Sequence, residues 1–354
     1  MKPSRRAKSL VRAIFLSLSS ILRTHATSGL AISVVRTTMT RQNSQRNSDT
    51  FLRAGDCVQV RSFPEILATL DSNGQLDKLP FMPEMIQFCG KKFRVSKRAE
   101  NSCFENKVRR MGNAVHLMDL RCDGSSHDGC QIRCLLFWRE EWLNRISSLS
   151  QDTETLSSIS YPSNDSATDG RLRTRSGLHE GSVTYICQAT EIGKIAKEEI
   201  KLWNLSSYVR EFRVGNAGWL EAKWLVRWFL AWIRWRIFKF FSSATTTPVV
   251  ERQNISLNDL VEIRPQKEIL ASLTKSGKNH GLAFSAEMLT FCGKQYRVLD
   301  KIDRMIDEET GKMKELKNAC LILESVTCRG NCTLCPRAKF HFWRNEWLKA
   351  KTSL

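Results

Sequence analysis

The chain has 354 residues, enough for two domains that each bury a core, and its 42% hydrophobic and 26% charged content sits in the ordinary globular range. Of the net charge of +19, +9 falls in residues 1–48, which hold nine Lys/Arg and no Asp/Glu; +2, +3 and +5 fall in 49–150, 151–250 and 251–354. The body of the chain is only mildly basic, and a nucleic-acid-binding reading loses most of its weight.

Residues 1–48 form a basic, acid-free arm rich in Ser, Thr and Arg, with an apolar patch at Ala13–Leu22. Organellar transit peptides have this composition, and the patch is too short and interrupted to span a bilayer. The alternatives are a disordered basic tail or a start codon placed too early.

The first module spans 49–146. GDCVQVRS alternates like a half-buried strand, and PEILATLDSNGQ reads as a short helix stopped by Asn73-Gly74. LPFMPEMIQFCGKKFRVSKR is expected to place a Cys-Gly turn between two strand-like runs. NAVHLMDLRCD is a last strand that delivers the chain into a Cys/His loop. Residues 147–176 read as a flexible linker. A connecting region over 177–250 begins with the β-rich run SVTYICQATEI and continues into the aromatic stretch Trp203–Phe241.

The second module, 251–354, repeats the first at an offset of 203. Glu84-Met85 becomes Glu287-Met288, Phe88-Cys89-Gly90-Lys91 becomes Phe291-Cys292-Gly293-Lys294, and Arg94-Val95 becomes Arg297-Val298. A constant register over some forty residues indicates duplication. Short strands and Gly turns predict an α+β, mainly β protein with two tandem SH3-like small β-barrels. Each is expected to end in a Cys/His loop and a Trp-x3-Trp helix.

Six of the twelve cysteines fall in the two loops, with Cys320 just before the second. The first reads Cys122-x4-His127-x2-Cys130-x3-Cys134, the second Cys328-x3-Cys332-x2-Cys335, with His341 a further candidate beside Cys320 or Cys292. Aligning the Trp pairs puts Cys335 on Cys130 and Cys332 on His127, a Cys-for-His exchange that a tetrahedral zinc site tolerates. Such clustering favours a structural zinc in a reducing compartment over disulfides. The alternative is reduced cysteines packed as small hydrophobes. The second loop also has the cysteine spacing of radical S-adenosylmethionine enzymes, but it leaves no room for their barrel. Cys89 and Cys292 lack a His/Asp partner common to both copies, so packing is preferred to a nucleophilic role.

Trp138/Trp142 and Trp343/Trp347 stand at i, i+4, which predicts one face of a capping helix, with Arg139 and Arg344 on its other side. In the central stretch, Trp224, Trp228, Trp232 and Trp235 share a helical face bordered by Arg227 and Arg234. That pattern suits a membrane interface or a partner protein, and equally a core helix with snorkelling cations.

The strings EILATLD, PFMPEM, FCGKKFRV, RCDGSSHDGC, ICQATE, YVREFRVGNAG and FWRNEWL resemble an uncharacterised group of bacterial two-module proteins. The resemblance implies that both modules and the middle segment travel as one unit, and it brings no activity with it. The resulting expectation is a non-enzymatic, zinc-stabilised scaffold, cytoplasmic or peripheral to a membrane, and organellar if the arm is a transit peptide. A metal-dependent or thiol-redox enzyme is the alternative, and nucleic-acid binding comes third.

Overall fold

The computed structural model describes residues 51–147 with a break at 105–106, and shorter pieces between 172 and 218. It also describes residues 230 and 232–233, and 253–351 with breaks at 275 and 331–333. The arm, most of the linker, Cys332, and Trp224, Arg227, Trp228, Arg234 and Trp235 lie outside the described residues.

In chain order the first module comprises β1 (Cys57–Val60), a helix Phe63–Leu67, β2 (Gln75–Leu76), β3 (Leu79–Pro80) and a 3-10 turn Pro83–Phe88. There follow β4 (Lys92–Arg98), β5 (Asn101–Phe104), β6 (Lys107–Arg110), β7 (Ala114–Leu117), β8 (Trp138–Arg139), a 3-10 turn Glu140–Trp142 and β9 (Leu143–Ile146). Val58 and Val60 are fully buried and their neighbours are not, as strand alternation demands. The main sheet runs β8-β7-β4-β1-β9, with β1 antiparallel to both β4 and β9.

The connecting segment supplies β10 (Thr174–Ser176), β11 (Val183–Tyr185), a helix Gln188–Ile195, β12 (Glu199–Ile200) and a helix Leu205–Arg213. The second module has β13 (Leu260–Ile263), a helix Gln266–Ala271, β14 (Lys278–Asn279), β15 (Leu282–Ala283) and a 3-10 turn Ala286–Phe291. It continues with the long β16 (Gln295–Ile306) and β17 (Met313–Leu323), a 3-10 turn Asn345–Trp347 and β18 (Leu348–Ala350). Its sheet runs β17-β16-β13-β18. The whole is mixed α+β with more strand than helix.

The two cores are built alike. Phe81 meets Trp138 and Trp142 edge-on at 6.4 and 5.3 Å, and Phe284 meets Trp343 and Trp347 at 6.2 and 5.3 Å. The Trp142 indole donates to Thr69 Oγ1 at 3.0 Å, and Trp347 donates to Ser272 Oγ at 2.9 Å.

Three local expectations need correction. The Trp pairs do not lie on a helix. Trp138 belongs to β8, and Trp142 closes a 3-10 turn into β9. A strand turning a corner over four residues brings both indoles to the same inside face, so the i, i+4 spacing was met without helical pitch. Arg139 and Arg344 are accordingly buried, not on an outer side. Arg139 donates to the carbonyls of Leu76, Asp77 and Gly112, and Arg344 to those of Asn279, His280 and Asn318. Each guanidinium thus holds the β2–β3 or β14–β15 hairpin against its sheet. Finally, PEMIQF is a 3-10 turn rather than a strand, and QATEI is helical rather than β.

The connecting segment folds onto the first module. β12 pairs with β6. Gln188, buried in the core, accepts from the Phe137 N–H at 2.8 Å and donates to the carbonyls of Pro80 and Phe137. Asn216 exchanges two 2.6 Å hydrogen bonds with the Arg98 backbone.

The modules also dock directly, in a reciprocal way. The Cys130 sulfur, in the first loop, accepts from the Ile306 N–H at 3.4 Å, at the end of β16. The Cys335 sulfur, in the second loop, accepts from the Cys103 N–H at 3.2 Å in β5. Cys130 corresponds to Cys335 in the Trp-aligned register, and Cys103 corresponds to Ile306 at the offset of 203. Each loop therefore lies on the matching part of the other module. Around the first contact Gln131 Oε1 accepts from the N–H groups of Asp303 and Arg304, and Arg133 pairs with Asp300 at 2.7 Å. Around the second, buried Arg337 donates to the Cys103 carbonyl at 2.7 Å and pairs with Glu308.

Candidate metal centre

The first Cys/His loop is closed at its base by Cys122 N–H donating to the Cys134 carbonyl at 2.8 Å. Inside it, the N–H groups of His127 and Gly129 both donate to the Gly124 carbonyl. Gly124 has φ +81°, and a Cβ there would lie 1.9 Å from the Cys130 carbonyl oxygen. No other residue type fits.

This turn presents His127 and Cys122 to a carboxylate that comes from a different element. Glu84, in the 3-10 turn Pro83–Phe88, places Oε1 2.9 Å from His127 Nε2 and 3.1 Å from Cys122 Sγ. His127 and Glu84 side chains are 0% and 1% exposed. The other imidazole nitrogen, Nδ1, meets the Tyr185 carbonyl at 2.8 Å, in the strand contributed by the connecting segment. Donation there leaves Nε2 directed at the Glu84–Cys122 pair, the orientation found for metal-ligating histidines. Met82 Sδ lies 3.2 Å from the same nitrogen.

Glu84, Cys122 and His127 each offer one ligand atom, and these atoms lie within 4.8 Å of one another. Ligand atoms around a tetrahedral zinc are separated by about 3.5 Å, so the two Oε1 contacts, at 2.9 and 3.1 Å, need to open only slightly to admit an ion. Glu84 Oε2 is buried with no hydrogen-bond partner, a cost that a cation would remove. One nitrogen, one thiolate and one carboxylate form a donor set suited to zinc. The group can therefore hold a metal ion.

The electrostatics agree with a site assembled around charge. Burial works against ionisation of Glu84, yet the His127 hydrogen bond and charge, with help from Cys122, hold its carboxyl below the usual range. Burial first, and then the Glu84 charge, push the Cys122 thiol well above its ordinary value. Without a cation, two anions at this distance oppose each other.

Cys130 and Cys134 are not part of that group. With Cys122, Cys187, Ile132, Ala189 and Ile306, and with Arg133 and Glu308, they line a small cavity of about 10 Å³ at the module interface. Cys187 and Cys134 are near enough for their charges to raise Cys122 further.

The second module presents a more open relative of the site. Glu287 occupies the same place in its 3-10 turn, hydrogen-bonds to Cys328, and accepts from the Arg329 N–H at 2.7 Å. Gly330, at φ +65°, repeats the pivot, since its Cβ would lie 2.3 Å from the Cys335 carbonyl oxygen. His341 Nε2 stands 3.9 Å from Glu287 Oε2, buried and without a hydrogen-bond partner. Burial lowers its pKa to about 4 and raises that of Glu287, the reverse of what the close imidazole does to Glu84. Cys335 lies away from this group, against Cys103. Cys89 and Cys292 are pushed by burial to about 12 and about 11, so both stay protonated thiols at neutral pH.

Sequence reasoning found Cys122 and His127 by their spacing and missed Glu84. Its signal was present, because Glu84 recurs as Glu287 at the constant offset, inside an apolar run where a carboxylate needs a reason.

Among the described residues no helix is long and apolar enough to cross a membrane. Leu230 and Trp232, in the central aromatic stretch, are 55% and 37% exposed. Fold and site together define a mixed α+β protein, richer in strand than in helix, with a buried Glu/Cys/His group capable of holding a metal. Scans against family models, curated proteins and solved structures gave no match for this chain.

Proposed function

We propose that this protein is a non-enzymatic scaffold of two duplicated SH3-like modules, in which zinc held by Glu84, Cys122 and His127 fixes the loop that joins the modules. The observation that carries it is the fully buried three-donor group with an unpartnered Glu84 oxygen. The loop that holds the metal is also the loop that docks on β16, so binding energy for the ion stabilises the assembled pair. The SH3-like reading is supported by the meander of four strands in the first module and three in the second, the 3-10 turn before the last strand, and the return of that strand beside the first. Complete burial of the His127 ring favours a structural over a catalytic ion, since no side of it faces solvent. The exposed Leu230 and Trp232 support docking of a protein or membrane surface on the central aromatic stretch.

Elemental analysis of the full chain, purified anaerobically without chelator, tests this reading. It predicts stoichiometric zinc that falls by at least half in Cys122→Ser and Glu84→Gln. Protein that is folded and zinc-free overturns the metal assignment. A zinc ion bearing an exchangeable water would favour the metal-dependent enzyme instead.

A further inference from the structure

We propose that Cys103 and Cys335 form a reversible disulfide that ties β5 of the first module to the cysteine loop of the second. The two residues are 232 apart in sequence and meet at the module interface. The Cys103 N–H donates to the Cys335 sulfur at 3.2 Å, and the Cys103 thiol hydrogen-bonds to the same sulfur. Arg337, two residues beyond Cys335, fixes the Cys103 carbonyl at 2.7 Å while its own charge is held by Glu308. Backbone and side chain are thus registered from both directions, as a crosslink with narrow geometric tolerance requires.

The reciprocal contact shows that this pairing is particular to one side. There the equivalent of Cys103 is Ile306, whose N–H meets Cys130, and the other cysteines about Cys130, namely Cys122, Cys134 and Cys187, lie on its own side of the contact. Of the two matching contacts, this one sets a cysteine of each module against the other. Cys103 is half-buried, so a reagent reaches it, whereas Cys335 is buried. The hydrogen bond from Cys103, and then the Arg337 charge, hold the Cys335 sulfur below its ordinary thiol value despite burial. That gives the division of labour a reversible pair needs, with an accessible attacking thiol and a buried resolving thiolate.

The oxidant is a small-molecule disulfide of the glutathione class. Cys103, losing its proton, attacks one sulfur of that disulfide and expels a thiolate, which takes up a proton. The Cys335 thiolate then attacks the Cys103 sulfur, the new S–S bond forms, and the second small thiol leaves and is protonated. Two protein thiols are oxidised to one disulfide, and one small disulfide is reduced to two thiols. The bond would link both modules and, through β6 and β12, the connecting segment.

The test is peptide mapping of the full chain after equilibration with oxidised glutathione, with remaining thiols alkylated before non-reducing digestion. The expected product is one crosslinked pair containing Cys103 and Cys335, reversed by dithiothreitol. It should be lost in Cys103→Ser and in Cys335→Ser and retained in the control Cys57→Ser. Wild-type mapping requires no variant to fold. Cys103 recovered only as a glutathione adduct beside alkylated Cys335, or Cys335 joined to another cysteine, overturns the proposal. Neither result depends on whether zinc is bound.

Discussion

Gly124 and Gly330 decide whether the two cysteine loops can close. Both are in the left-handed region, and both would drive a Cβ into a backbone oxygen of the loop's own cysteine. Gly124→Ala combines a left-handed alanine with that clash, and we expect a loss of at least about 2 kcal/mol in denaturant unfolding. The same variant should lose metal, because His127 hangs from the turn that Gly124 makes. Unchanged stability would show that the loop adopts another path. Some of this was legible beforehand. The spacing of Cys122 and His127 marks a ligand pair, and the glycines mark a tight wrap. The direction in which each sulfur points is not written in the spacing, and Cys130 and Cys134 turn toward the module interface. That choice is made by Ile306 and Ala189, apolar partners from distant parts of the chain.

Among the elements, the segment that ends in Asn216 is the most informative. The helix Leu205–Arg213 is clamped through Asn216 to the Arg98 backbone, and Asn216 Nδ2 also donates to Glu211 at 2.5 Å. Burial, reinforced by Glu100, raises the Glu211 pKa to about 8, with the Asn216 hydrogen bond and Lys97 working against it. A carboxyl whose folded pKa is raised favours the folded state at low pH. Its contribution is full below the unfolded value of 4.5 and is lost as pH rises through about 8. Glu211→Gln should therefore flatten the pH dependence of thermal unfolding between these limits. It should stabilise the protein at pH 8.5, on the order of 2 kcal/mol. A variant curve parallel to the wild type would place the titration elsewhere. The sequence showed YVREFRVGNAG as a distinct string but not its docking site, since hydrogen bonds spanning 118 residues leave no local periodicity. The Trp-x3-Trp spacing misled for a related reason, because strand followed by 3-10 turn and helix can place two indoles on one side equally well.

At the scale of the whole molecule, the offset of 203 predicts two similar modules, and the two cores agree in Phe/Trp geometry. Reciprocity was not legible. It depends on which surface of each module meets the other, and that is set by loop residues such as Gln131, Arg133 and Arg337, which the repeat does not preserve. The interface carries the chemistry of the chain: a buried Glu/Cys/His group on one side of the first loop, a small cysteine-lined cavity beneath it, and a dithiol across the reciprocal contact. Zinc that fixes the first loop would hold the modules in register, which is what a scaffold presenting a composite surface requires.

Zinc-edge X-ray absorption on the full chain purified without chelator tests the metal centre most directly. Bound zinc should show a mixed shell, in which sulfur from Cys122 stands beside nitrogen and oxygen from His127 and Glu84. An all-sulfur shell, or protein that folds without zinc, would contradict the metal assignment.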